Sequence, residues 1–152
     1  MKAIILILCS LLVTPVWANT YVVGDPMETL KLQDQYEADY AIDSTIKHVL
    51  FSRSMDGGTL IQTALEEQPE LYKKGDLAYV ADISGMPSLI ARFVAIPQFK
   101  QFAYRVALDR DGEITKALPA QKDQVTLIQI SDNKITQISY FDSAESLLEA
   151  LK

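Results

Sequence analysis

Apolar positions follow three rhythms along this chain, and each rhythm predicts a different element. Leu30 and Leu32 alternate with polar residues, the chain turns near Asp34-Gln35, and alternation resumes at Tyr40 and Ile42, which predicts a hairpin within residues 21–47. "IKHVLFS" (46–52) is apolar on both faces, as a central strand must be. Gly57 and Gly58 punctuate, and Leu60, Ile61, Ala64 and Leu65 follow at helical spacing as far as Pro69. "DLAYVADIS" (76–84) predicts a second strand. In "GMPSLIARFVAIPQF", Pro87 suits a first helical turn and Leu89, Ile90, Phe93 and Val94 are expected to form the buried face. Pro97 is expected to stop or kink that helix. "AYRVALD" (103–109) predicts a third strand, with a turn at Asp111-Gly112. "VTLIQI" (125–130) and "ITQISYF" (135–141) form a hairpin around Asp132-Asn133. Asp142 to Glu145 reads as a capping box that opens a last helix through Leu147, Leu148 and Leu151.

The order is therefore hairpin, β-α-β-α-β, then ββα. Alternating strands and helices imply an α/β domain with a largely parallel sheet covered on both faces, made mixed by the closing antiparallel pair. No repeat, low-complexity tract or linker divides it.

The apolar run Ala3–Val13 has a different meaning. It follows Lys2, is too short to span a bilayer, and leads to Val16-Trp17-Ala18, so residues 1–18 read as a cleavable secretory signal. Cys9 lies in mid-run behind Leu8, which does not suit lipidation. Cleavage leaves residues 19–152 as one domain in the periplasm, and removes the chain's single cysteine and its single tryptophan, Trp17. An exported domain without cysteine has no disulfide framework and no thiol nucleophile, so an ordinary apolar core must hold it. Loss of Lys2 makes the formal net charge of −6 one unit more negative. That acidity argues against nucleic acid as a partner, and against a membrane once the signal is removed.

The chain resembles the thioredoxin fold, in its peroxiredoxin-like and periplasmic thioredoxin-like branch. "VVGDPMETLKLQDQ" is similar to that branch's opening and "HVLFS…GGTLI" to its first core strand and active-site helix. "YRVALDRDGEITKALPAQKDQVTLIQISDNKI" is similar to its late segment. "DISGMPSLIARF" is similar to a stretch of short exported proteobacterial proteins of this fold. The resemblance spans about residues 21–152. It implies a thioredoxin-like three-layer α/β/α domain with a mixed central sheet and an N-terminal hairpin.

Two departures carry the chemistry. Asp56 and Thr59 fall within a residue or two of the positions at which the family carries its redox cysteines, and a carboxylate cannot exchange disulfides. The family's cis-proline position is Val125, preceded by Gln124, with the nearest proline at Pro119. Thiol oxidoreductase and peroxidase chemistry is thereby excluded.

The remaining candidates gather in two loops. Asp56 is expected to cap the first helix, with Gly57 and Gly58 making a tight strand-to-helix turn. The same turn with Arg53 could form an anion nest, but Asp56 already occupies the positive end. The second loop, Asp82 to Pro87, is expected at the same carboxyl edge, where ligands of open α/β sheets bind, with Ser84 as a helix N-cap. The binding candidates are thus Arg53, Asp56, Gly57, Gly58, Asp82, Ser84 and Met86, on an edge completed by residues 119–124. His48, the only histidine, is expected to be buried and hydrogen-bonded, and leaves no metal site. It is also the only conceivable base for Ser52, Ser54 or Ser84. Met27, Met55 and Met86 lack the companion ligands that copper delivery in this fold uses. "FKQFAYR" (99–105) is expected to pack its aromatics inward. There is no glycine-rich dinucleotide fingerprint, and no cofactor is expected.

The composite reading is a non-catalytic, redox-inactive binding or interaction module for a periplasmic protein or a small ligand. The alternative is a cofactor binder or enzyme using Asp56 and Asp82 as paired carboxylates, which in hydrolytic sites stand about 5–10 Å apart. Intact mass of the protein recovered from a periplasmic extract should match residues 19–152, with no tryptophan absorbance. A full-length chain held in the membrane fraction contradicts the signal reading.

Overall fold

The computed structural model describes residues 19–152, so the predicted signal with Cys9 and Trp17 lies outside the described residues. Among the described residues no helix is long and apolar enough to cross a membrane. Seven strands form one mixed sheet: β1 (Leu30–Gln33), β2 (Asp39–Ile42), β3 (His48–Ser52), β4 (Leu77–Asp82), β5 (Val106–Asp109), β6 (Val125–Ser131) and β7 (Lys134–Phe141). Their spatial order is β2-β1-β5-β4-β3-β6-β7. The β3-β4 and β4-β5 pairs are parallel, because helical crossovers join them, and every other neighbouring pair is antiparallel.

The first crossover is α1 (Met55–Glu67) followed by the single turn α2 (Glu70–Lys73). Ser54 caps α1, its hydroxyl accepting the Gly57 amide at 3.1 Å. The expected cap, Asp56, lies instead inside the first turn, where its negative charge suits the helix dipole. The last helix, α5 (Ala144–Ala150), is capped by Ser143, which accepts the Ser146 amide.

Period-2 alternation divides the core between the two faces of the sheet. Leu50, Tyr79, Ala81 and Leu127 face α1, α2 and α5 and pack on Ile61, Leu65, Leu71 and Leu147. Val49, Phe51, Val80 and Ile128 face the other way, onto Met27, Ile46 and Leu118. Both faces are covered and the sheet is mixed and thioredoxin-like as expected, but it is mainly antiparallel rather than largely parallel, because only the two helical crossovers join neighbouring strands in the same direction. The helical residues of the core all belong to the first face, whereas the second is closed by the N-terminal segment and the loop through Leu118. Right-handed crossovers that step twice in one direction, β3 to β4 to β5, deliver both helices to the same side.

The second crossover departs from the sequence pattern. It begins as α3 (Ser88–Ile90), widens into a π-helical stretch over Ala91–Ala95 and tightens again as α4 (Ile96–Phe99). Pro97 is the cause: its ring would clash with the carbonyl four residues back and it offers no N–H. A wider turn just ahead of it, in which the Ile96 amide reaches Ala91, relieves the clash without ending the helix. The inward face becomes Ala91, Ala95, Ile96 and Phe99. Leu89 is left 68%, Phe93 67%, Val94 53% and Ile90 42% exposed, so the four residues expected to be buried form an exposed apolar face instead.

The N-terminal hairpin is fastened by groups that a turn usually keeps in water. Gln35 is fully buried; its Nε2 donates to the carbonyls of Tyr104 (2.9 Å) and Phe99 (3.2 Å), and its Oε1 accepts the Val106 amide. Arg105 donates to Asp34 at 2.8 Å and lies over the Tyr40 ring, 4.1 Å from its centroid.

Gly57 passes so close to the loop before β6 that a Cβ there would stand 2.7 Å from the Gln124 carbonyl oxygen. We expect Gly57→Ala to lower stability by about 1–3 kcal/mol. Phe93→Ser, on the exposed helix, should stay within about 0.5 kcal/mol of the parent in urea unfolding. Equal losses from the two would overturn this assignment of inside and outside.

Candidate functional site

The carboxyl ends of β3 and β4 open onto a cleft of about 500 Å³ between the start of α1 and the second crossover. It lies where open α/β sheets bind ligands, and its size is that of small-molecule sites. Its walls are mainly apolar, with Ser54, Thr59, Gln62 and Gln98 as neutral polar members. Met55 projects from α1, Ile83 and Met86 from the loop after β4, and Ile90, Phe99 and Phe102 from the crossover and its exit. Ser52 and Tyr79, both buried, line it as well.

Its one ion pair is anchored from beneath. Asp82 ends β4 with its side chain 4% exposed, and its carboxylate is filled by four donors. Oδ1 accepts the Ser84 hydroxyl at 2.6 Å and the Ser84 amide at 3.0 Å. Oδ2 accepts Arg53 Nε at 2.8 Å and Thr115 Oγ1 at 3.1 Å. Burial pushes the Asp82 carboxyl up, but those hydrogen bonds, from Ser84 above all, outweigh it and hold the group below the ordinary carboxylate value. Arg53 spends Nη2 on the Thr115 carbonyl at 2.8 Å and rests on the Phe51 ring.

A second carboxylate completes the frame. Asp109, buried at the end of β5, accepts the amides of Gly112 and Thr115 and so shapes the loop that delivers Thr115 to Asp82. Gly112 has φ +73°, and a Cβ there would fall 2.5 Å from the Ser84 hydroxyl. Only glycine meets both conditions.

The sequence-derived candidates therefore divide. Arg53, Gly58, Asp82 and Met86 line the cleft. Ser84 is exposed, does not line it, and serves as a donor to Asp82 rather than as the expected N-cap; the residue ahead of α3 is Pro87. Gly57 is spent on its approach to Gln124, and residues 119–124 do not reach the lining. Asp56 is exposed and absent from the lining, so Asp56 and Asp82 do not form a carboxylate pair across the cleft. An acid–base role also fails for Asp82 alone, whose oxygens are taken.

His48 lies at the start of β3, half-buried and away from the cleft. Burial lowers its pKa, and its Nδ1 has no hydrogen-bond partner, contrary to the bonded histidine expected. The "FKQFAYR" aromatics divide: Tyr104 is buried, whereas Phe99 and Phe102 are half-buried and face the cleft. Ile90, Phe99 and Phe102 are wall residues that lie outside the expected edge. The signal that could have found Phe99 was the second apolar stripe of the crossover, Ala91, Ala95, Ile96 and Phe99, at helical spacing.

No protein-family model matches the chain, and no curated protein matches its sequence. Solved structures do match its fold. A candidate protein disulfide isomerase from Bacteroides thetaiotaomicron superposes with TM-score 0.59 at 13% identity, covering 86% of this chain and 86% of that one. Peroxidoxin BcpB from Mycobacterium tuberculosis gives 0.56 at 14% identity, covering 85% and 94%. A candidate thiol:disulfide interchange protein DsbE from Chlorobium tepidum gives 0.57 at 18% identity, covering 88% and 100%. The likeness establishes a thioredoxin-like fold. Those proteins are named for thiol or peroxide chemistry; this chain has one cysteine, Cys9, outside the described residues.

Asp82→Asn should cost about 2 kcal/mol, below the figure for a wholly buried pair because Arg53 keeps part of its guanidinium in water. A depressed folded-state pKa means the Asp82 contribution is complete above the unfolded value near 4 and is lost as pH falls through the lower folded value. Urea titrations between pH 7 and pH 2 should show the parent and Asp82→Asn converging as the solution is acidified. Parallel curves would contradict the pair.

Proposed function

We propose that this chain is an exported, redox-inactive binding module of thioredoxin-like fold, and that the cleft beside α1 is its binding site. The observation that carries the reading is an apolar cleft of about 500 Å³ at the site-bearing edge of the sheet, whose one ion pair is already satisfied. Arg53, Gly58, Asp82 and Met86 are its candidate contacts. The walls offer burial and the Arg53–Asp82 pair offers rigidity, while no group there is poised to exchange a proton or form a covalent bond. Export is supported by the signal-like residues 1–18, which would leave the domain without a cysteine.

A dye-based thermal-shift screen of the purified protein tests the reading, with FMN, FAD, Ca²⁺, Zn²⁺, phosphate, short peptides and neutral apolar compounds as the panel. A ligand at a hundred times its Kd stabilises by about 2.7 kcal/mol, several degrees for a domain of this size. We expect a shift with at least one apolar compound or peptide, lost in Met86→Trp, where the larger ring occupies the cleft. Insulin-reduction activity above the uncatalysed rate contradicts the redox-inactive assignment, and a shift unaffected by Met86→Trp moves the site elsewhere.

A further inference from the structure

The chemistry of the cleft narrows its occupant, given the binding-module reading above. Among the described residues, Arg53 and Asp82 are the only charged ones on its lining, and they pair at 2.8 Å. The pair leaves the lining without net charge, so a charged ligand would recover less of the cost of shedding its water than it would beside an unpaired ion, a cost that an uncharged ligand avoids.

The Ser52–Tyr79 pair adds a polar preference. Ser52 and Tyr79 are 3% and 2% exposed, and their hydroxyls meet each other at 3.3 Å, their only hydrogen bond among the described residues. That separation is long for an O–H···O bond, which usually spans 2.5–3.0 Å. Two hydroxyls sharing one bond leave one O–H without an acceptor. Gly58 keeps the approach to them open, since a Cβ there would lie 3.1 Å from the Tyr79 oxygen. Burial raises the Tyr79 pKa to about 12, so the phenol stays protonated and able to donate.

The mouth is apolar too. Met55, 71% exposed, and Ile90 border it, and the exposed face of the crossover helix continues from Ile90 to Leu89, Phe93 and Val94. An exposed apolar strip joined to an apolar cleft marks an interaction site.

We propose that the cleft takes an uncharged amphiphile with a single apolar chain. A hydroxyl or carbonyl oxygen on it would meet the Ser52–Tyr79 pair, its chain would lie among Met86, Ile90, Phe99 and Phe102, and its free end would follow the exposed helix face.

The test uses the fluorescent, uncharged probe N-phenyl-1-naphthylamine with the purified protein, and three competitors of equal chain length: 1-dodecanol, dodecanoate and dodecylammonium at pH 7. We expect the probe to bind and 1-dodecanol to displace it at least tenfold more effectively than either ion. In Tyr79→Phe and in Ser52→Ala, competition by 1-dodecanol should weaken by about fivefold, the worth of one hydrogen bond, while probe affinity changes less than twofold. Met86→Trp, at the half-exposed rim, should weaken probe and competitor alike with an unchanged melting curve.

Dodecanoate competing as well as dodecanol overturns the uncharged class and leaves the binding-module reading standing. Unchanged dodecanol competition in both hydroxyl variants, each folded by its melting curve, overturns the head-group assignment. Absence of probe binding, or binding indifferent to Met86→Trp, overturns the cleft itself and with it the proposed binding module.

Discussion

The Asp82 carboxylate is the constraint on which the edge of this molecule depends. It ends the central parallel strand, and its four hydrogen bonds reach the end of β3 through Arg53, its own following loop through Ser84, and the loop after β5 through Thr115. A buried carboxylate is tolerated only when such partners replace its water. Having found them, it holds in one geometry the two loops between which the cleft opens. The same saturation removes it from chemistry, because an acid or base needs an oxygen that substrate can reach. One of the two carboxylates weighed for acid–base work in the sequence is the one that shapes the site.

Two contacts at a distance set the width of that site. Gln35 fills the turn of the N-terminal hairpin and bonds to the carbonyls of Phe99 and Tyr104 and the amide of Val106, fixing the chain segment that carries Phe99 and Phe102. On the opposite side, Gly57 lets α1 settle against the Gln124 carbonyl, which sets where Met55 and Gly58 stand. A hairpin remote in sequence and a glycine without a side chain thus place the two walls. Thiol chemistry in this fold would need a thiolate at the start of α1. This chain has Ser54 as a cap there and Asp56 within the first turn, and the space beside them is lined mainly by thioethers, aliphatic groups and rings, with a few neutral polar groups and the Arg53–Asp82 pair among them.

What could be read from the sequence was local. Strand periods at residues 46–52, 76–84 and 125–141, the α1 pattern and the two-residue turn at Asp132-Asn133 follow from steric and solvation rules that act over a few residues, and these elements are present. Their order, with the absence of a cysteine pair, was enough for a thioredoxin-like frame without its redox centre. Arg53, Gly58, Asp82 and Met86 were legible as site candidates because strand ends at one edge of a parallel sheet must converge. Tertiary structure decided what those groups do. Asp56 yielded the cap to Ser54, Ser84 became a donor, and the carboxylate imagined as half of a pair became the centre of a network. It also reversed the face of the second crossover helix. Leu89, Ile90, Phe93 and Val94 keep a regular helical spacing yet face solvent, because the equally regular Ala91, Ala95, Ile96 and Phe99 take the inward side, and a 3.6-residue period cannot report which of two apolar stripes finds cover. Periodicity records which side chains avoid water on an average helix; which of them find cover depends on neighbours that only the folded chain assembles.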